Sequence, residues 1–386
     1  MLRVLHIITG LSMEGAELNL LRLLMGMNKN DFSNTVVSLL AGGEIKPKIR
    51  DLGVPVFQLN MRRGVSNPFS LKGLLTVYRE FKPSVVHCWM NHSNFLGGLI
   101  GLIRRDTPVI WDIHHSAAYL PTDKLLTRAI TFGCGKLSWF DSATSRIIFC
   151  GHATMSSHVE YGYNPRKMTV IPNGFETDIF YPDGSLRQKV RYEIGLSDDS
   201  PVIGIIARDH PDKDIPNFLK SASWASARNK DLRFVMVGSG LDSENQSLMN
   251  LIRSHGLERV TTLLGVREDI PAIINSFDLL TLSSSTESFP NVIGEAMACG
   301  VPCVATDVGD TALLIGAAGK VVPPRRPEEL AQAWLDIVCL EQKQKEALGA
   351  QARQRILEKF PLSMMTTRYE QLYEAVAAEM PFQKAS

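Results

Sequence analysis

The feature that most constrains this chain is a rhythm that runs twice along it. Short apolar runs rich in Val, Ile and Leu alternate with longer amphipathic stretches. Runs at 4–8, 35–40, 55–59, 84–89, 108–113 and 146–151 are predicted strands. Between them, 16–27, 45–53, 71–81 and 95–103 carry apolar residues at helical spacing. Strands that read as unbroken apolar runs are buried on both faces, which argues for a parallel sheet covered by helices. Around 172–200 the rhythm gives way to PNGFETDIFYPDGS, which is turn and linker chemistry. It restarts with strands at 201–207, 232–238, 260–265, 278–284 and 301–307. Helical patterns follow at 215–229, 242–256, 269–277, 291–299 and 328–340.

The expectation is two doubly wound α/β domains. A first spans 1–180, a linker 181–200 and a second 201–360. The helical segment 361–380 is expected to cross back to the first domain. A chain of 386 residues is long enough for two such cores. Ligands of open α/β sheets bind beyond the carboxyl ends of the strands. If the two domains face each other, both sets of strand ends line one central cleft.

Composition excludes several classes. With 45% hydrophobic and 21% charged residues the chain is neither disordered nor fibrous. The net charge of +1 hides an asymmetry. Residues 1–180 hold 19 Lys and Arg against 13 Asp and Glu, and residues 181–386 hold 22 against 27. A basic first half suits an anionic partner such as lipid headgroups or phosphates, and ordinary scatter over two surfaces is the other reading. No nucleic-acid partner is expected. The six cysteines form no C-x-x-C pair and read as buried free thiols of a reducing compartment. The apolar N-terminus has no small-residue cleavage site and reads as a first strand. The run FLGGLIGLI is too short to span a bilayer. A cytoplasmic location follows as the expectation, with membrane contact only at the surface.

The chemistry-bearing residues cluster after strands. Glu287 and Glu295 lie in STESFPNVIGEAMACGVP, where Ser288, Phe289 and Pro290 make a turn and Asn291 can open a helix. Free N–H groups and a partial positive charge at a helix start seat a diphosphate. The alternative is an acidic helix start that gains only about 0.3–1 kcal/mol per charge from the dipole. Arg208 and Lys213, on the loop after 201–207, can neutralise a leaving diphosphate without a metal, or can be solvated loop charges. Gly238 and Gly240 make a Gly-rich turn after a strand, and Gly15 and Glu17 in MEGAE open the first helix. His114 and His115 end the strand at 108–113, and His87 and His92 lie in and after the one before it. A zinc site from His114, His115 and Asp112 is disfavoured, because adjacent strand residues point to opposite faces. Pro172, Asn173 and Gly174 turn the chain at the domain boundary.

Taken in order, these segments resemble the retaining glycosyltransferases of GT-B fold, glycosyltransferase family 4 (group 1). The likeness covers most of the chain and is strongest over 170–325. MEGAE is similar to the family's Gly-Gly-x-Glu loop, and Arg208 with Lys213 to its donor pair. Asn173 falls in IPNGFETDIF, and VGSG and the E-x(7)-E of Glu287 and Glu295 complete the set.

The resemblance implies a UDP- or GDP-linked sugar as donor, a glycan or lipid-linked acceptor and no metal cofactor. It implies that Arg208 and Lys213 bind the diphosphate, Glu295 the ribose and Glu287 the transferred sugar. The backbone of Ser288 to Asn291 would position sugar and phosphate. Gly15, with Glu17 beside it, would lie near the phosphates, and His114 or His115 near the sugar. Two histidines followed by Ser116, and the acid-rich DHPDKD around Lys213, depart from the family pattern. A bacterial-type polysaccharide or lipid-linked glycan pathway is the implied setting. A non-catalytic nucleotide-sugar-binding subunit and a GT-B epimerase or phosphorylase are the alternatives.

Overall fold

The computed structural model describes residues 1–61, 68–116 and 125–379, without the side chains of 68–71. The segments 60–70 and 116–128, whose basic and aromatic residues suit a lipid-linked or phosphorylated acceptor, fall largely outside that set. The chain divides into two compact units, Met1–Gly174 with Leu362–Ser386, and Phe175–Pro361.

The first unit is built on a parallel sheet of seven strands among the described residues. These are β1 (Leu2–Ile8), β2 (Phe32–Leu40), β3 (Val56–Met61), β4 (Val85–Trp89), β5 (Val109–Ile113), β6 (Arg146–Phe149) and β7 (Met168–Val170). Their spatial order is β3-β2-β1-β4-β5-β6-β7. Every residue of β4 and β5 is buried, as the unbroken apolar runs require. The second unit has β8 (Val202–Ile206), β9 (Arg233–Val237), β10 (Thr261–Gly265), β11 (Leu279–Leu282), β12 (Cys303–Thr306) and β13 (Gly319–Val322). Their order is β10-β9-β8-β11-β12-β13, again all parallel. In each sheet the winding reverses once, between β1 and β4 and between β8 and β11. Those are the topological switch points, where loops after neighbouring strands splay apart and leave room for a ligand.

Helices cover the sheets through faces that the sequence marks. In Ile215–Arg228 the buried residues Phe218, Leu219, Ala222 and Ala225 repeat at helical spacing, and the Asp214 side chain accepts from the Asn217 N–H at its start. The final helix, Leu362–Glu379, buries Met365, Tyr369, Tyr373 and Val376 in the core beneath β1 and β4 of the first unit. It packs on the helix Gly15–Gly26, where a β-carbon on Gly26 would meet the Thr366 hydroxyl.

Two expectations change. The stretch 181–200, expected as linker, contains the helix Gly184–Glu193, capped by the Asp183 side chain and belonging to the second unit. Its anchor is ionic. Arg191 is fully buried and Arg187 partly so, and both bind Asp278, at 2.7 and 2.6 Å. A helix held by arginines shows no apolar period, so the pattern could not reveal it. Five of the six cysteines are buried, but Cys339 is exposed because it caps the solvent end of the helix Pro327–Val338.

Candidate functional site

The loops after β8 and β11 meet at the second unit's switch point. After β8 the chain passes Arg208, which is exposed, and makes a 3-10 turn over Pro211–Lys213. Asp214 then takes a left-handed conformation (φ 45°) and caps the next helix. The loop after β11 clasps that turn. Ser283 donates its hydroxyl to the Lys213 carbonyl at 2.7 Å, and the Ser285 N–H donates to the Asp212 carbonyl at 2.7 Å. With the backbones tied, the Lys213 ammonium forms an ion pair with Glu287, whose Oε1 also accepts from the Ser284 hydroxyl at 2.7 Å. Both side chains are mostly buried, with 23% and 13% of their surface exposed, so solvent screens the pair only partly.

Neighbouring loops hold this arrangement. The Asp310 N–H donates to the Ser288 carbonyl at 3.0 Å, and a β-carbon at Gly309 would collide with the carbonyls of Glu287 and Ser288. Gly238 and Gly240 have φ of 132° and 77°, and a β-carbon on Gly238 would strike the Ala207 carbonyl. The VGSG turn therefore lies directly against the chain that leads to Arg208. Asn245 fastens the two by donating to Asp209 and to the Gly240 carbonyl, each at 2.8 Å. The helix Asn291–Ala298 begins after Pro290, which makes no side-chain cap, and the positive end of its dipole lies at this corner. Glu295 is buried within that helix, Ser288 is buried at its approach, and the Phe289 ring packs against Phe175 and Phe360. Phe289 anchors the loop by its side chain, which leaves only its backbone for a ligand.

In the first unit the expected residues follow β1 and β5. Gly15 is exposed at the start of the helix Gly15–Gly26, and Glu17 lies on its first turn. Burial raises the Glu17 carboxyl to about 7, with Glu14 adding to the rise and His114 opposing it. Asn173 is buried where the unit's main stretch ends.

The two histidines separate clearly. His115 Nε2 meets the Asn91 side chain at 2.9 Å, and burial lowers its pKa to about 3. It is a neutral interior ring. His114 stacks on Trp89 with centroids 5.6 Å apart and places Nε2 3.0 Å from Asp112 Oδ1, an ion contact rather than a well-directed hydrogen bond. Burial opposes a charge on His114, but the Asp112 carboxylate outweighs it and lifts the pKa to about 10. Among the described residues no group of three or more His, Cys, Asp or Glu is arranged to hold a metal ion.

Sequence reasoning missed Asp112 as a partner of His114. The signal was present, since strand residues two apart share a face. It also missed Tyr369, whose hydroxyl donates to Asp112 Oδ2 at 2.6 Å from 257 positions along the chain. Local pattern carries no trace of that pairing.

Two family models cover most of the chain: Glycosyltransferase Family 4 matches residues 13–179 and Glycosyl transferases group 1 matches 200–339. An Escherichia coli UDP-Gal:alpha-D-GlcNAc-diphosphoundecaprenol alpha-1,3-galactosyltransferase is 26% identical over 266 residues, 66% of each chain. A Corynebacterium aurimucosum D-inositol 3-phosphate glycosyltransferase is 26% identical over 310 residues, 75% of this chain and 72% of that one. Among solved structures, Anabaena HepE in complex with UDP-glucose superimposes with a TM-score of 0.83 at 22% identity, covering 97% of this chain and 100% of the other. The lipopolysaccharide glycosyltransferase WaaG gives 0.74 at 14% identity, covering 97% and 99%. The chain belongs to glycosyltransferase family 4 (group 1), the retaining nucleotide-sugar glycosyltransferases of GT-B fold.

Glu17 makes a pH-dependent prediction. Its folded-state pKa of about 7 lies above the ordinary 4.5, so the unfolded chain ionises first as pH rises. Stability from this group is greatest below about pH 4.5 and declines up to about pH 7, by on the order of 3 kcal/mol in full. Glu17→Gln should raise the melting temperature of the first unit at pH 8 and leave it nearly unchanged at pH 4.5. Calorimetry at the two pH values checks this.

Proposed function

We propose that this family 4 enzyme takes its sugar from a UDP- or GDP-linked donor and passes it, without a metal ion, to a hydroxyl of a lipid-linked or glycan acceptor. The observation that carries the reading is the Lys213–Glu287 pair, set by two clasped loops at a switch point beside an uncapped helix start. That corner offers what a departing nucleoside diphosphate needs. Arg208 and Lys213 supply two cations, and the start of the helix Asn291–Ala298 adds N–H donors, so developing negative charge is met by groups already in place. Glu287 holds a hydroxyl of the transferred sugar and Glu295 the ribose. The backbone from Ser288 to Asn291 fixes the diphosphate, and the VGSG turn accommodates close approach. From the first unit, Gly15 and Glu17 serve the phosphates, His114 serves the sugar and Asn173 the donor. The acceptor class is supported by the E. coli relative, whose substrate is carried on diphosphoundecaprenol, and the donor by that relative's UDP-Gal.

Lys213→Ala and Glu287→Ala should each lower kcat about 10²-fold, the size expected for removing one preorganised electrostatic contact. Chelation with EDTA should leave the wild-type rate unchanged. Transfer assayed with a panel of nucleotide sugars checks all three. Full activity in both variants would contradict the donor site, and loss with EDTA restored by a divalent cation would contradict the metal-free step.

A membrane-carried acceptor calls for access to a membrane surface. Among the described residues no helix is long and apolar enough to cross one. The helix Leu125–Leu137 and the turn after it expose Leu125, Leu126, Phe132, Trp139 and Phe140, with Arg128 and Lys136 among them and no acidic residue in the helix. Apolar side chains mixed with cations suit an anionic bilayer at the inner face of the cytoplasmic membrane. The protein should sediment with vesicles containing phosphatidylglycerol and not with pure phosphatidylcholine. The double variant Phe132→Ser, Phe140→Ser should weaken this severalfold and keep transfer to a soluble acceptor. Equal sedimentation of wild type and variant would contradict the assignment.

A further inference from the structure

The first unit buries more polar chemistry than donor binding accounts for. Asp112 is fully buried on β5, and its two oxygens are used differently. Oδ2 accepts from the Tyr369 hydroxyl at 2.6 Å and lies 3.3 Å from His87 Nε2. Oδ1 lies 3.0 Å from His114 Nε2. His87 is oriented in turn by the Tyr373 hydroxyl, 2.7 Å from its Nδ1. Tyr369 and Tyr373 are one turn apart on the C-terminal helix, so one helix face fixes the carboxylate directly and through His87.

A fully buried carboxylate is costly unless it is paired and hydrogen-bonded, and a chain retains one where it serves a purpose. Its neighbours divide the charge. His87 is held neutral by burial, and so is His6, which faces it from β1. Both tyrosines hold their protons firmly. That leaves His114 as the cation opposite Asp112. The other groups it feels are the Cys150 thiol after β6, Glu17 on the first helix, and the neutral rings of His87 and His115.

We propose that Asp112 is a positioning residue for the transfer reaction: clamped at Oδ2 by Tyr369 and His87, it keeps Oδ1 on His114 and sets that ring as a fixed imidazolium rather than a proton acceptor. The ring then acts on the reaction as a buried positive charge. The C-terminal helix is therefore part of the machinery and not only a cap. The inference rests on the role given to His114 above.

The sign follows from the neighbours. With Asp112 present, the His114 charge persists as pH rises until about 10. With Asp112→Asn, burial loses its main opponent and only the weaker influence of Cys150 and Glu17 still favours the charge, so the charge is lost at a lower pH than in the wild type. The test is the pH profile of kcat from pH 5 to 9 for wild type, His114→Ala, Asp112→Asn and Tyr369→Phe, with KM for the donor measured alongside. Expected are a large loss in His114→Ala at every pH and a loss of at least tenfold in Asp112→Asn at pH 8. Asp112→Asn should recover toward pH 5.5 at unchanged KM, and Tyr369→Phe should show a smaller loss with the same trend.

An inactive His114→Ala beside an Asp112→Asn whose profile superimposes on wild type overturns this inference alone. An active His114→Ala overturns it together with the role of His114 proposed above. Should Asp112→Asn fail to fold, nitrogen NMR of the wild-type histidine rings decides. One ring protonated at pH 8.5 and shifted in Tyr369→Phe supports the proposal, and all nine rings neutral overturns it.

Discussion

The arrangement of the second unit depends on a clasp between two loops. Ser283 and Ser285, just past β11, hydrogen-bond the backbone of the 3-10 turn that follows β8, and this brings Lys213 and Glu287 into contact. Neither charge is positioned by its own element. The turn sets the lysine backbone, the serines set the turn, and Ser284 shares Glu287 with the ammonium. An ion pair fixed this way gives up little freedom when it meets a ligand, which is what electrostatic preorganisation requires. The glycines at 238 and 309 serve the same end by letting adjacent loops approach where a side chain would collide.

The first unit handles charge differently. Its carboxylate at 112 and the ring at 114 are buried and depend on tyrosines from the last helix. Removing one member of such a set leaves its partners unpaired in a medium of low polarity, at a cost that grows with the number of partners it held. Glu17 is in the opposite situation. Its hydrogen bonds, to its own backbone and to Ser12, only partly offset burial, which raises its pKa to about 7 and makes its ionisation cost stability.

The sheets were legible because parallel strands buried on both faces must be apolar throughout, and β4, β5, β8 and β9 are read at nearly their observed limits. That Lys213 and Glu287 follow strand ends, where ligands bind in this class of fold, was legible, and the structure brings these two side chains together. The helix Gly184–Glu193 was not, since its inward face is arginine on Asp278. Cys339 looked like its buried counterparts because composition does not tell a helix end from a helix face. The choice between His114 and His115 needed the partners themselves: Asn91 turns one inward as a neutral ring, and Asp112 charges the other. Tyr369 could not have been paired with Asp112 from spacing, because only the path of the last helix brings them together.

The claim that matters most is that the clasped loops grip a nucleoside diphosphate. Its most direct test is the melting transition of the second unit with UDP and GDP added, in wild type and in Lys213→Ala. A nucleotide present at 100 times its dissociation constant stabilises the folded state by about 2.7 kcal/mol, a readily measured shift. The account predicts a rise in melting temperature with one of the two nucleotides in the wild type, and a much smaller rise in the variant. An identical rise in both proteins, or none with either nucleotide, would contradict it.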